Sequence, residues 1–157
     1  MPQNYLPYLK DINTGGPTHS YDVLSYTMNL NLFSCYSSPF SRYFKSKIVI
    51  HIKVDTALNS VKLDADTASL TIDSVRLAGV SFTHVNNILT VNLNRTYNAG
   101  EEFSIRVCYH HNDVVDGAFY VQNDGHVFTD CEPEGARHWF PCWDKPSAIY
   151  VVDFGLI

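Results

Sequence analysis

The sequence predicts an all-β protein, an antiparallel sandwich or open barrel. Two observations carry this. Short apolar runs recur about every 8–12 residues with turn residues between them. Within these runs apolar and polar residues alternate, which places one side of a strand in a core and the other in solvent. No segment shows the 3.6-residue period of an amphipathic helix at helical length.

The elements follow in order. Residues 1–19 are rich in Pro, Asn, Gly and Thr and form an N-terminal arm; residues 20–157 form one β-sandwich domain. In the first strand Tyr21 and Val23, then Tyr26, Met28, Leu30 and Leu32, alternate with polar residues, as in a half-buried strand. Ser34–Arg42, containing Pro39, is expected to be a loop. Tyr43–Val54 is the second strand, with Ile48, Ile50, Ile52 and Val54 on one face. Val61–Leu63, Leu70–Leu77, Val80–Phe82 and Ile88–Leu93 follow, separated by Asp64-Ala65-Asp66, Ala78-Gly79 and Asn86-Asn87. Glu102–His110 alternates cleanly through Phe103, Ile105, Val107 and Tyr109. Ala118–Val121 and His126–Thr129 flank the hairpin signal Asn123-Asp124-Gly125. A last apolar run, Ile149–Phe154, is cut off by the chain end, as in a domain that continues into further sequence.

Composition narrows the function classes. A chain of 157 residues is one domain by length. At this size folding buries about 68–70% of the unfolded surface. Hydrophobic residues make up 45% and aromatic residues 13%, as in a globular protein. The net charge is −5, and the eleven Lys and Arg residues are scattered along the chain, which argues against nucleic acid. No apolar run is long enough for a transmembrane helix, so no membrane span is expected. Met1–Gly16 lacks a signal pattern, which fits either a cytoplasmic protein or a secreted one whose signal has been removed. Cys35, Cys108, Cys131 and Cys142 show no C-x-x-C spacing. They read as single buried thiols, with a Cys131–Cys142 bridge as the alternative.

The stretch from Thr129 to Ser147 stands apart. It crowds acids, Arg137, the aromatics Trp139, Phe140 and Trp143, two cysteines and three prolines into one segment without strand or helix periodicity. Pro133 and Pro146 fix φ and restrict the residues before them. The aromatics supply apolar anchors, and Arg137 a planar fork for a carboxylate. Arg137, Trp139, Phe140 and Asp144 read as structural.

Thr129-Asp130-Cys131-Glu132-Pro133, then Ala136-Arg137, Phe140-Pro141-Cys142 and Asp144 with Pro146, resembles the segment T-Q-x-E-P-x-x-A-R-x-x-F-P-C-x-D-x-P. That segment closes the N-terminal domain of M1-family zinc aminopeptidases. Tyr21-Asp22-Val23-Leu24-Ser25-Tyr26 with Asn29–Leu32 is similar to that family's first strand. Leu63-Asp64-Ala65 with Leu70–Val75, and Gly117–Tyr120, resemble further elements of it, so that roughly residues 20–153 are covered. The resemblance implies a saddle-like β domain that packs on a separate catalytic domain. It also implies that Glu132 reaches into the cleft and binds the free α-amino group of a peptide. A carboxylate ionised at working pH suits an ammonium. From the residues alone, the alternative is a structural acid paired with Arg137 or Lys145. Asp130 stands where the family usually has Gln beside the first side-chain pocket, and is therefore the second candidate substrate-binding residue. Lys145 stands where an acid is frequent.

The chemistry of such a peptidase is not encoded here. Its zinc is usually carried by H-E-x-x-H on a helix. No His among the seven is followed by Glu, and no G-x-M-E-N loop occurs. His110 and His111 are adjacent and, on a strand, face opposite sides. No catalytic residue, metal ligand or bound cofactor is therefore expected in this chain, and any zinc would belong to a parent enzyme. The expected partners are the catalytic domain and peptide N-termini. Two other functions compete: a free-standing β-sandwich binding module for protein or carbohydrate, and a regulator that captures peptide N-termini without cleaving them. The N-terminal domain of a peptidase, taken without its catalytic domain, should expose an apolar patch around residues 129–147, whereas a free binding module should have a closed surface with a separate aromatic groove.

Overall fold

The computed structural model describes residues 20–145 in full and the backbone of Val151–Leu156. The N-terminal arm, Pro146–Tyr150 and Ile157 lie outside the described residues. Ten strands form three sheets: β1 Tyr21–Asn31, β2 Lys45–Val54, β3 Leu58–Asp64, β4 Leu70–Arg76, β5 Ser81–Val85, β6 Ile88–Tyr97, β7 Glu102–His111, β8 Phe119–Val121, β9 Val127–Thr129 and β10 Val151–Leu156. A five-stranded sheet has the order β10-β1-β2-β7-β4, a three-stranded sheet the order β3-β6-β5, and β8 pairs with β9.

Alternation builds the sandwich. Tyr26, Met28, Ile48, Ile50, Ile52, Ile105, Val107 and Tyr109 point inward from the five-stranded sheet. Val61, Leu63, Leu89 and Val91 face them from the three-stranded sheet. Each such aliphatic side chain contributes about 1.5–3 kcal/mol by leaving water. β1 carries a bulge: pairing with β2 shifts register between Val23 and Ser25. The extra residue lets Tyr21 and Val23, and then Tyr26 and Met28, all face the core. Asn86 and Asn87 take positive φ of 51° and 63° in the two-residue turn between β5 and β6, which asparagine tolerates.

Two local expectations are corrected. The segment Ser34–Arg42 is not all loop, because Phe33–Tyr36 forms one helical turn, α1. It buries Cys35, and the Cys35 and Tyr36 amides both donate to the Leu32 carbonyl. The pairing is also not wholly antiparallel. β10 runs parallel to β1 in the register Tyr26↔Val152 and Met28↔Phe154. The chain returns to the β1 edge from the same end of the sheet through the irregular 130–145 segment.

Candidate functional site

The segment after β9 is bonded at almost every step. The Asp130 amide donates to the Ala118 carbonyl (2.9 Å), and the Gly135 amide to the Cys131 carbonyl (2.8 Å). The Glu132–Pro133 peptide bond is cis. A single 3₁₀ turn spans Ala136–His138. Cys142 then bridges to Asp64 at the end of β3, with paired backbone bonds of 2.7 and 3.0 Å. The Trp143 amide donates to the Tyr26 hydroxyl (2.9 Å). Phe140 meets Tyr26 edge to face at 5.6 Å, and Trp139 meets Phe140 at 4.5 Å. The Trp139 indole N–H donates to the Cys131 sulfur (3.1 Å).

Arg137 is the centre of this frame. Its Nε donates to Asp144 Oδ2 (2.8 Å) and its Nη2 to Glu134 Oε2 (2.6 Å), while Nη1 lies 3.6 Å from Asp64 Oδ1. Lys145 Nζ also donates to Glu134 Oε2, at 3.3 Å. The two cations that could have paired with Glu132 are thus committed to Asp64, Glu134 and Asp144. Among the described residues Glu132 forms no ion pair, and neither does Asp130.

Both acids are exposed and border an open cleft of about 300 Å³, together with Asp116, Pro133, Glu134 and His138. The other polar walls are occupied. His138 Nδ1 lies 3.1 Å from Asp66 Oδ2. Asp116 receives the amides of Ala118 and Phe119 on one oxygen and His111 Nε2, at 2.7 Å, on the other. The cleft therefore offers two uncompensated carboxylates, Asp130 and Glu132, on a fixed rim. Such groups can hold an ammonium. Gly135 shapes the rim: a Cβ there would stand 2.8 Å from Cys131 Cα and 3.2 Å from the Asp130 carbonyl oxygen.

Sequence reasoning missed the His111–Asp116 pair. The Asp113 amide donates to His111 Nδ1 (3.2 Å), so Nε2 carries the proton that it shares with Asp116. His111 is fully buried and stacks on Phe44 at 5.4 Å. Burial alone would raise the Asp116 carboxyl, but its bonds from His111, Phe119 and Ala118 hold it below the usual range. The available signal was that His111 continues the inward phase of Phe103, Ile105, Val107 and Tyr109. The role of Asp64, remote in sequence from Arg137, had no local signal.

Two further expectations meet the structure here. Cys131 and Cys142 are separate thiols, as are Cys35 and Cys108. The Cys131 sulfur is turned to the Trp139 indole, and Cys142 is buried on the strand-like bridge to Asp64. The apolar patch expected around 129–147 does not form among the described residues. Trp139, Phe140 and Cys142 turn inward, and the large exposed apolar residues are Phe33, Tyr36, Val85, Val115 and Phe128.

The described histidines do not gather into a zinc site. His51 meets Glu102, His110 meets Asp73, His111 meets Asp116, and His138 meets Asp66, each as a separate pair. His84 Nε2 lies 2.9 Å from the Ala65 carbonyl oxygen. Among the described residues no group of three or more His, Cys, Asp or Glu side chains could hold a metal ion. No described helix is long and apolar enough to cross a membrane.

A β-sandwich ending in a rigid, acid-bearing rim defines the class of this chain. The family model described as Peptidase M1 N-terminal domain matches residues 18–154, and the chain belongs to that family. Solved structures agree in fold. An M1 zinc metallopeptidase from Deinococcus radiodurans superposes with a TM-score of 0.74 at 19% identity, covering 87% of this chain and 32% of that one. A two-domain M1 zinc metallopeptidase variant bound to L-tryptophan gives 0.76 at 19% identity, covering 88% and 33%. A variant of the D. radiodurans enzyme bound to a Tyr-Ser-Ala substrate gives 0.75 at 19%, covering 87% and 32%. The chain thus spans about a third of the length of these proteins. No curated protein matches it.

Proposed function

We propose that this chain is the non-catalytic N-terminal domain of a zinc aminopeptidase that removes N-terminal residues from peptides. It packs on the catalytic domain and presents Glu132 to the substrate α-amino group, with Asp130 beside the first side-chain pocket. The observation that carries the reading is the division of labour among the acids of the rim. Arg137 and Lys145 are taken up by Asp64, Glu134 and Asp144, which leaves Glu132 exposed, charged and without a cation. An amine supplied by a substrate completes that pairing, and a peptide lacking a free N-terminus does not. The solved M1 relatives are zinc metallopeptidases that carry about two thirds of their length beyond the matched part. On this reading the zinc chemistry belongs to sequence outside this chain.

The test is to express this chain together with the sequence that follows it in its reading frame. Bound zinc and hydrolysis of amino-acid anilides should be measured. The expected result is an H-E-x-x-H segment, bound zinc and activity on free N-termini only. A reading frame that stops at Ile157, or activity equal on N-acetylated substrates, contradicts the proposal.

A further inference from the structure

Five of the eleven cations, distant in the sequence, come together in the fold. The outer face of the five-stranded sheet gathers Lys45, Lys47 and Lys53 from β2, Arg106 from β7 and Arg76 from β4, all exposed. The same face also carries three acids. Glu102 lies 3.1 Å from His51, Asp73 lies 2.9 Å from His110, and Asp22 stands opposite Lys53 in register. Among the described residues Lys45, Lys47, Arg76 and Arg106 form no ion pair. With five Lys and Arg residues against three acids, this face is net basic on a chain of net charge −5.

A bulge builds the centre of it. Leu70 and Ile72 point inward, so strict alternation would send Arg76 inward as well. The register shift between Ile72 and Ser74 instead sets Val75 opposite Val107 and Arg76 opposite Arg106 on the outer face. Like charges directly opposite each other on paired strands are destabilising. The arrangement is relieved when an anion lies between the two guanidiniums. They border an open cleft of about 450 Å³, whose other walls include Val49, Val75 and Leu77. β4 ends the sheet, so a backbone edge runs beside the cleft.

We propose that this face binds an acidic peptide segment of a partner protein, anchored by Arg76 and Arg106. Carboxylates two residues apart on an extended chain stand about 7 Å apart, within reach of two arginines on neighbouring strands. Val49, which stands opposite Arg106 on the outer face, gives the side chain between them an apolar contact. Lys45 and Lys47 widen the field and speed encounter. A nucleic acid is the weaker fit, because its unbroken line of phosphates would also pass Asp22, Asp73 and Glu102 on this face, whereas a peptide can place its carboxylates at the two arginines alone.

The test uses the full chain and a peptide alternating Glu and Val, capped by acetyl and amide so that no free amine can engage Glu132. Binding is followed by calorimetry at low salt. Wild type should bind saturably, more weakly as salt rises. The Arg76→Gln/Arg106→Gln variant should bind at least about tenfold more weakly, and Lys62→Gln, on the other sheet, should bind as wild type. The matching Gln/Val peptide should not bind. Both arginines are exposed, so an unchanged circular-dichroism spectrum is expected for the double variant. Equal affinity in that variant, or equal binding of the Gln/Val peptide, overturns the proposal. Tighter binding of inorganic phosphate or of a single-stranded oligonucleotide at the same arginines also overturns it, by reassigning the occupant. None of these outcomes bears on Glu132.

Discussion

Arg137 Nε lies 2.8 Å from Asp144 Oδ2, and the same oxygen also accepts the Arg137 backbone amide at 3.1 Å. One carboxylate oxygen thus fixes both the backbone and the side chain of the residue on which the rim turns. Asp144 is buried and donates its own amide to Asp64 Oδ2 (3.1 Å), so the pair is tied to β3 as well. Arg137→Lys keeps the charge and loses the planar fork. It should cost about 2–4 kcal/mol of stability, read as a lower urea midpoint at unchanged m. A loss under about 0.5 kcal/mol, the range of ordinary surface changes, would show that the clamp is idle.

Gly135→Ala tests the shape of the rim. The added Cβ meets backbone on the Cys131 and Asp130 side, at 2.8 and 3.2 Å, so the loop that carries Glu132 must shift. The expected result is amide NMR shift changes concentrated in residues 130–136, with the sandwich core unmoved. Changes spread evenly over both sheets would contradict this.

Acid should loosen the protein through Asp116. Its carboxyl is held below the usual range in the folded chain, so it contributes stability that is full above its unfolded value of about 4. That contribution is lost as pH falls through the lower folded value. Asp66, held down by Ser69 and His138 against its own burial, acts in the same direction. Asp116→Asn should therefore be less stable at neutral pH by about 1–3 kcal/mol. It should also lose less stability on acidification than wild type. Parallel acid-unfolding curves for the two proteins would refute the assignment.

The thiols should differ in reactivity. Burial, with Asp144 and Asp64 close by, pushes the Cys142 thiol well up, and burial with Asp113 nearby raises Cys35 to about 11. Native alkylation at pH 8 followed by mass spectrometry should label Cys108 and Cys131 first, both of which are partly exposed. Early labelling of Cys142, or a Cys131–Cys142 disulfide after purification without reductant, would contradict the structure.

The sheets were legible where one face is buried and one is wet. Ile48–Val54 and Phe103–Tyr109 alternate because each inward position enters the same core. Even the β1 bulge shows in the sequence, as the phase step from Val23 to Tyr26. What stayed hidden depends on distant partners or on very short elements. Phe33–Tyr36 is one turn, too short to display a period. The parallel docking of β10 on β1 is set by the path of the intervening chain, not by β10 itself. The rim was visible as an unusual segment. Which of its acids are occupied was not, because Arg137 is shared with Asp64 on β3. The basic face was hidden for the same reason, since it draws on three separate strands.

The most direct test of the central claim is the kinetics of Glu132→Gln in the enzyme formed by this chain and its catalytic domain. The substitution keeps size and exposure and removes the charge that the proposal sets against the substrate ammonium. The account predicts a KM for free-amine peptides raised by about 10–100-fold, with a smaller change in kcat, as expected for loss of one charge-assisted bond. An unchanged kcat/KM would contradict it.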